Sequence, residues 1–183
     1  MNHLFKDIFA SPTYIVLNVP SPVADEIRQM RRFLDIDRSH LSIEISLAGS
    51  NGLGTISAGQ DQDFVFAEVD RIASLTKSFK AEFGIVEKFP DTGIFYYTVI
   101  NPEPFKKLHN KLIESAIAFN PNPHQYEPHC TLRLAATTQF PEEDILRRIQ
   151  PPSGEFLLNT MSVCSLEGPM QEPHLMHRVN LKK

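Results

Sequence analysis

The sequence lacks the features of a membrane protein, a disulfide-rich protein or a zinc protein. Its 183 residues include only two cysteines, which by themselves are too few for a disulfide framework or a zinc site of four ligands. No stretch approaches the ~20 continuous apolar residues that a transmembrane helix needs. We therefore expect a soluble protein of a reducing compartment, the cytoplasm, that has no contact with membranes.

An excess of positive charge is also missing. The chain has 18 Lys and Arg against 22 Asp and Glu, a formal net charge of −4, so no overall field attracts a long polyanion. This balance argues against a protein that binds many phosphates along a duplex, but a small phosphate site needs only a few donors. The N-terminal segment MNHLFKDIFASP contains an acidic residue and lacks the apolar core of a signal peptide.

What the sequence does contain is enough apolar material for a packed core. Hydrophobic residues make up 42% and charged residues 22% of the chain, as in ordinary globular proteins. The length fits one compact domain or two closely fused halves, since domains average ~100–150 residues.

Prolines divide the chain into alternating strand-like and helix-like segments. Strands are predicted where β-branched, aromatic or alternating residues occur together, at about 13–19, 40–47, 82–89, 93–100, 155–166 and 175–181. Helices are predicted where apolar residues recur every three or four positions, at about 22–34, 61–79, 105–119 and 142–150. The first helix carries one apolar stripe, formed by Val23, Ile27, Met30 and Leu34. This order of elements predicts an α+β fold.

The second half of the chain repeats the pattern of the first. Tyr14, followed by Pro20-Ser-Pro22, matches Tyr96, followed by Pro102-Glu-Pro104, at an offset of 82 residues. His40-Leu-Ser42-Ile43 matches His129-Cys-Thr131-Leu132 at an offset of 89. The repeat predicts a single domain, 1–183, built from two lobes related by a pseudo-twofold axis, at about 13–90 and 93–181. Each lobe would have an antiparallel sheet with flanking helices, and strands would be exchanged between the lobes across a central groove.

The two His-x-Ser/Thr triplets stand at equivalent points of this repeat. Because residues i and i+2 of a strand project to one face, His40 is expected to point with Ser42, and His129 with Thr131. Two imidazoles with ordinary pKa values near ~6.5 can take a proton from an attacking oxygen and give one to a leaving oxygen. Hydroxyl groups can donate hydrogen bonds to phosphate oxygens. The predicted chemistry is in-line displacement at phosphorus without a metal or another cofactor.

These motifs resemble those of the 2H phosphoesterase superfamily, in particular its bacterial 2′-5′ RNA ligase-like or RNA 2′,3′-cyclic phosphodiesterase branch. The resemblance rests on His40-Leu41-Ser42-Ile43, on Pro128-His129-Cys130-Thr131-Leu132 and on the Leu-Ala-Gly turn at 47–49. It implies a bilobal fold with a central groove and metal-independent opening of a 2′,3′-cyclic phosphate, with reverse 2′-5′ RNA ligation as a further activity.

The resemblance also implies roles for individual residues and a class of partner. His40 and His129 would be the acid and the base, and Ser42 and Thr131 would bind the phosphate. The substrate would be an RNA end or a small nucleotide, and we expect a monomer without an obligate protein partner. A non-catalytic nucleotide- or RNA-binding module of the same fold is the alternative, and a purely structural domain is a third interpretation.

Two charged residues occupy matching positions near the triplets. Arg133 lies two residues after Thr131, so the strand pattern places it on the same face as a candidate cation beside the phosphate. The other interpretation is a surface arginine paired with a carboxylate. Glu44 holds the matching place in the first lobe, where it either pairs with Arg133 or tunes His40.

Aromatic residues near the triplets are further candidates. Tyr126 and His124 lie on the loop before His129, and Tyr126 is a candidate for stacking on a base, with packing against the loop prolines as the alternative. Tyr14 and Tyr96 occupy equivalent strands, where sheet packing is the favoured interpretation and at most one of them faces the groove.

Three other residues are predicted to be structural. Cys130 is expected to face away from His129 into the core. His174 and His177 fall on opposite faces of a closing strand, which argues against a metal pair.

Overall fold

The computed structural model describes residues 8–134, 141–167 and 172–183. Its elements in chain order are β1 (Thr13–Asn18), α1 (Val23–Leu34), β2 (Glu44–Ala48), α2 (Gln62–Ser74), β3 (Phe79–Ala81), β4 (Phe83–Lys88), β5 (Phe95–Val99), α3 (Glu103–Ile113), β6 (His129–Arg133), α4 (Glu142–Arg148), β7 (Phe156–Leu158), β8 (Thr160–Glu167) and β9 (Glu172–Asn180). Residues 1–7 of the segment considered above as a signal peptide lie outside the described residues. No helix within these ranges has both the length and the apolar character needed to cross a membrane.

The strands pair antiparallel in two main sheets and one small sheet. The larger sheet has the order β2-β1-β8-β9, the second has the order β4-β5-β6, and β3 pairs with β7. Both main sheets combine strands from the two halves of the sequence, since β8 pairs with β1 and carries β9 on its other edge, and β4 lies beside β5. The combination of helices and antiparallel sheets confirms the predicted α+β class.

The core is built around β1 and the helices that pack on the sheets. β1 lies between β2 and β8, so Ile15, Val16 and Leu17 are all fully buried. On α1 the predicted apolar stripe is buried, but its member between Ile27 and Leu34 is Arg31 rather than Met30. A buried arginine requires hydrogen-bond partners, and this side chain has them, as described below.

The segment predicted as a strand over 40–47 begins as a strand only at Glu44. A short 3-10 helix, Ile36–Arg38, continues into turns in which the Ser39 amide donates to Ile36 O (3.2 Å) and the Leu41 amide donates to Arg38 O (3.1 Å). Because these local hydrogen bonds hold the backbone in turns, residues 39–41 cannot extend into the sheet. The predicted alternation of faces therefore does not apply to His40.

The two halves of the chain correspond at offsets that differ from the predicted ones. The helices α1 and α3 each begin directly after a proline, Pro22 and Pro102, at an offset of 80 residues. The strand pairings match as well, with Asn18–Glu44 corresponding to Thr98–His129, Leu17–Ile45 to Tyr97–Cys130, Val16–Ser46 to Tyr96–Thr131, and Ile15–Ala48 to Phe95–Arg133. In both pairs the register shifts at the same step, between Ile15 and Val16 and between Phe95 and Tyr96.

This correspondence moves the first motif by four residues. The counterpart of His129-Cys-Thr131-Leu132 is Glu44-Ile-Ser46-Leu47, at an offset of 85 residues, and not His40-Leu-Ser42-Ile43. Each half also covers the edge strand of the other half, because α1 contacts β6 and α3 contacts β2. The strands β2 and β6 contact each other directly, so the two motifs lie together where the main sheets meet.

The loop after β2 depends on Gly52, and this dependence can be tested. Gly52 has φ +68°, and a Cβ at this position would lie 2.5 Å from Cε1 of His109. That imidazole cannot move away easily, because it stacks on Tyr126 at 3.8 Å and its Nδ1 lies 2.6 Å from Leu47 O. We expect Gly52→Ala to lower the free energy of unfolding by more than the ~1–2 kcal/mol that the left-handed backbone alone costs, measured by urea denaturation.

Gly59 provides the control for this prediction. It also has a positive φ, +81°, but a Cβ there would meet no atom within 4 Å. Gly59→Ala should therefore show only the backbone cost. Equal losses in the two variants would contradict the steric explanation for Gly52.

Candidate active site

A groove of about 390 Å³ is lined by both halves of the chain. Glu44 and Ser46 of β2 line it together with His129 and Thr131 of β6. The remaining polar or charged lining residues are Tyr14, Arg31, Asp35, Arg38, Ser42, Ser50 and Thr55. The groove thus combines one imidazole, two carboxyl groups, several hydroxyl groups and two guanidinium groups.

The imidazole of His129 is held in a defined orientation. Its Nδ1 lies 2.7 Å from Glu127 O, and since a carbonyl only accepts, Nδ1 carries a proton and the neutral ring keeps its lone pair on Nε2. The Asn51 amide donates to the same carbonyl (2.9 Å). The rings of Phe89 and Tyr96 pack edge-on to the imidazole at 5.0 and 5.1 Å. Burial lowers the pKa of His129, although its backbone hydrogen bond opposes this shift.

Burial shifts the pKa of Glu44 in the opposite direction, upward. Its Oε2 is buried without a hydrogen-bond partner, and the loss of hydration raises the pKa of Glu44 to about 7. The hydrogen bond with the Tyr14 hydroxyl and the charge of Arg31 both lower this pKa, but burial outweighs them. Near neutral pH the carboxyl group therefore retains its proton in a large fraction of molecules, whereas an exposed glutamate would be ionised.

Arg31 connects the walls of the groove and supplies its buried positive charge. Its Nε and Nη2 donate to Thr131 O at 3.0 and 2.7 Å, and its Nη1 donates to Ser42 O at 3.1 Å. One side chain of α1 therefore binds both β6 and the segment that leads into β2. The sequence contained a signal for this role, because a cation four residues after Ile27 and three before Leu34 interrupts the apolar stripe of the helix.

The structure brings most, but not all, of the predicted motif residues into the groove. Ser42, His129 and Thr131 line it, as the sequence predicted. His40 does not line it, because it lies in the exposed turn before β2. The expectation that His40 and Ser42 share one strand face is therefore wrong, since neither residue is in the strand.

The predicted position of Arg133 beside the phosphate is also wrong. Residues opposite each other in a sheet share a face, and the register shift places Thr131 opposite Tyr96 but Arg133 opposite Phe95. Arg133 therefore points away from the groove, with its guanidinium 4.5 Å from the Phe95 ring centre. Its Nε donates to Gly93 O (3.2 Å), its Nη2 lies 3.7 Å from Glu142, and it is 1% exposed.

Tyr126 is not available to stack on a base. One face of its ring lies against His109 at 3.8 Å, its hydroxyl donates to Ser46 O (3.2 Å), and only 8% of the residue is exposed. It is a core residue that supports β2, although its partner is His109 and not the loop prolines of the alternative interpretation. His124 is exposed and lines a second cavity beside the groove.

The second cavity, of about 550 Å³, also includes His129 among its lining residues. Its other walls are formed mainly by Phe89, Pro90, Thr92, Ile94 and Asn51. The imidazole therefore stands between a polar groove on one side and a more apolar cavity on the other. This arrangement suits a ligand with a charged group next to a ring system.

The remaining sequence predictions concern residues near the site. Cys130 is fully buried in the core, which confirms that it faces away from the groove. Tyr14 lines the groove and Tyr96 does not. His177 lies 2.6 Å from Asp70 and stacks on Phe66, and the described part of the chain contains no cluster of three or more His, Cys, Asp or Glu side chains able to hold a metal ion.

The raised pKa of Glu44 predicts a pH-dependent loss of stability. Between its ordinary pKa of 4.5 and about 7 the folded chain holds a proton that the unfolded chain has released, so the free energy of unfolding falls as the pH rises through this range. Glu44→Gln removes this titration, and we expect the variant to gain on the order of 2–3 kcal/mol relative to wild type between pH 4 and 8. Urea denaturation at each pH measures the difference.

Glu114→Gln, at an exposed carboxylate, is the matched control for this prediction. Its unfolding curve should run parallel to that of wild type at every pH. Parallel curves for Glu44→Gln as well would show that Glu44 titrates as an ordinary exposed glutamate.

A second prediction concerns the connection made by Arg31. Arg31→Met leaves the carbonyls of Ser42 and Thr131 without their donors, and we expect a loss of about 1–3 kcal/mol in total because these carbonyls are only partly buried. Arg28→Met, on the same helix, removes only a surface ion pair with Asp25 (2.6 Å) and should leave the thermal stability nearly unchanged. Similar losses in the two variants, measured by thermal denaturation, would contradict the proposed connection.

Comparison with known proteins agrees with this geometry. The family model of the 2′-5′ RNA ligase superfamily matches residues 19–169, whereas no curated protein matches the sequence. Among solved structures, Escherichia coli LigT complexed with 3′-AMP is similar at 12% identity and a TM-score of 0.64, covering 94% of this chain and 99% of LigT. Thermus thermophilus TT0787 has 13% identity and a TM-score of 0.64, covering 93% and 98% of the two chains.

A phosphoesterase structure is similar at 12% identity and a TM-score of 0.59, over 94% of this chain and 99% of its own. At such low identities these structures show that the fold is shared. The family model, by contrast, covers most of the sequence, including both strands of the groove. The chain belongs to the 2′-5′ RNA ligase superfamily, a group of 2H phosphoesterases.

Proposed function

We propose that this protein is a metal-independent phosphodiesterase that opens a 2′,3′-cyclic phosphate on an RNA end or a small nucleotide. The observation that carries the proposal is the placement of His129, which lines both the groove and the second cavity and whose Nδ1 is held by Glu127 O, so that Nε2 is the ring nitrogen left for proton transfer. Membership of the superfamily supports the reaction class.

His129 suits the role of general base in this reaction. Its proton is fixed on Nδ1 by Glu127 O, so Nε2 is free to take a proton from an attacking water. Burial lowers its pKa and keeps the base in its neutral form at physiological pH. A second group must then give a proton to the ribose oxygen that leaves phosphorus.

The groove also offers groups suited to a phosphate. The hydroxyl residues Ser42, Ser46 and Thr131 line it, and hydroxyl donors stabilise charge that builds on non-bridging oxygens. Arg31 and Arg38 add positive charge at the same place. Two guanidinium groups in a protein of net charge −4 favour a single phosphate at an end, and not a long run of phosphates.

We place the nucleoside of the substrate in the second cavity, on the other side of His129. The Phe89 ring lines this cavity and provides an aromatic surface for a base. Crystal structures of E. coli LigT with 3′-AMP, ATP and NADP+ show nucleotides bound to a protein of this fold. The volumes of the groove and the second cavity, about 390 and 550 Å³, are consistent with a monomer that binds a small nucleotide or an RNA end.

One observation favours a second candidate, a nucleotide-binding module without turnover. His129 is the only histidine that lines the groove in the described part of the chain, whereas the two-histidine mechanism implied by the resemblance needs two. The binding module predicts saturable binding of nucleotides without hydrolysis of any cyclic phosphate.

Hydrolysis of 2′,3′-cyclic AMP in excess chelator tests the proposal. The wild type should keep its full rate in chelator, and His129→Ala should lose roughly 10²–10⁴-fold in kcat because the general base is removed. His174→Ala, an exposed imidazole on β9, should retain the wild-type rate. Unchanged turnover in His129→Ala would contradict the mechanism, and binding without turnover in the wild type would favour the binding module.

A further inference from the structure

The two edge strands of the groove present different chemistry at corresponding positions. Glu44 pairs with Asn18 on β1 as His129 pairs with Thr98 on β5, and the matching register shift follows at the same distance in both strands. Ser46 and Leu47 then correspond to Thr131 and Leu132. The chain therefore places a carboxyl group in one half where it places the imidazole in the other half.

We propose that Glu44 is the second proton-transfer group of this site, the general acid that gives a proton to the leaving ribose oxygen while His129 accepts one from water. This inference rests on the proposed phosphodiesterase function. It replaces His40, the residue that the sequence pattern suggested, with a group that lines the groove.

The surroundings of Glu44 are those of a functional carboxyl group. The titratable and charged groups that face it are Tyr14 on β1, Arg31 on α1, Cys130 on β6 and Cys164 on β8. Arg31, the one cation among them, does not approach Glu44 closely enough to form an ion pair, and Oε2 of Glu44 is buried without a hydrogen-bond partner. A buried polar atom without a partner costs free energy, and a ligand oxygen in the groove would satisfy it.

The proposed step balances in atoms and charge. The oxygen of water forms a new bond to phosphorus and its proton moves to Nε2 of His129. The bond from phosphorus to one ribose oxygen breaks, and that oxygen takes the proton of the Glu44 carboxyl group. Solvent then carries a proton from the imidazolium to the carboxylate, so the net reaction consumes one water and yields a phosphomonoester.

The pKa shifts support this division of roles. Burial raises the pKa of Glu44 to about 7 and lowers that of His129. A protonated acid and a neutral base therefore coexist between the lowered pKa of His129 and about pH 7. Pairs of groups whose pKa values are displaced in opposite directions are typical of acid–base pairs in active sites.

The pH dependence of kcat/KM for 2′,3′-cyclic AMP tests the inference. The wild type should lose activity above about pH 7 as Glu44 ionises. Glu44→Gln should lose roughly 10²–10⁴-fold in kcat, and its remaining activity should lack this alkaline decline. Circular dichroism and the denaturation curves described above establish that the variant is folded.

Three further variants sharpen the test. Glu44→His restores a proton donor, so it should recover part of the lost rate with an alkaline decline set by the new imidazole. Glu114→Gln, the same change at an exposed position, should behave as wild type. His40→Ala should also retain the wild-type rate, because this residue lies outside the groove.

The outcomes separate this inference from the proposed function. If wild type turns over and His129→Ala does not, but Glu44→Gln keeps both the rate and the alkaline decline, the role of Glu44 is overturned and the function stands. A large loss in His40→Ala together with full activity in Glu44→Gln would return the role to His40. Absence of any cyclic phosphate hydrolysis by wild type would overturn the function and, with it, this inference.

Discussion

The site depends on the three hydrogen bonds of Arg31. Without the guanidinium group, Thr131 O and Ser42 O would lose these donors, and the hydrogen bond from the Leu134 amide to Asp35 Oδ2 (2.9 Å) would be left to join the end of β6 to the segment before β2. The same charge stands beside Glu44 and limits how far burial raises the pKa of that carboxyl. One side chain therefore both connects the walls of the groove and controls its electrostatics. Burying this charge within an apolar helix face costs desolvation free energy.

Burial shifts the pKa values of the two proton-transfer candidates in opposite directions. It removes hydration from both, which disfavours the carboxylate of Glu44 and the imidazolium of His129. Both groups are therefore driven toward their neutral forms by the same loss of hydration. A neutral carboxyl group can only donate its proton and a neutral imidazole with a fixed tautomer can accept one, so the environment sets a direction that a pair of identical groups would lack.

Much of the fold and half of the motif could be predicted from the sequence. Periodicity located β1, α1, α2 and α3 and the α+β class, and the triplet at His129 and Thr131 opens a strand as expected. The failures have local physical causes. The turn hydrogen bonds after Ile36 delay β2 until Glu44, and a single extra residue in β6 turns Arg133 to the other face. Neither a short turn nor a register shift changes hydrophobic periodicity, so the sequence pattern favours the triplet at His40 over its structural counterpart four residues later.

The order of strands in the larger sheet has a consequence for how the protein is made. β1 precedes β8 in the chain by more than 140 residues, yet it lies between β2 and β8, and β8 begins only at Thr160. Until β8 has been synthesised, the side chains of Ile15, Val16 and Leu17 belong to a strand with one open edge. β2 is paired to that same strand, so the wall of the groove that carries Glu44 lacks the support of its complete sheet until β8 has been added.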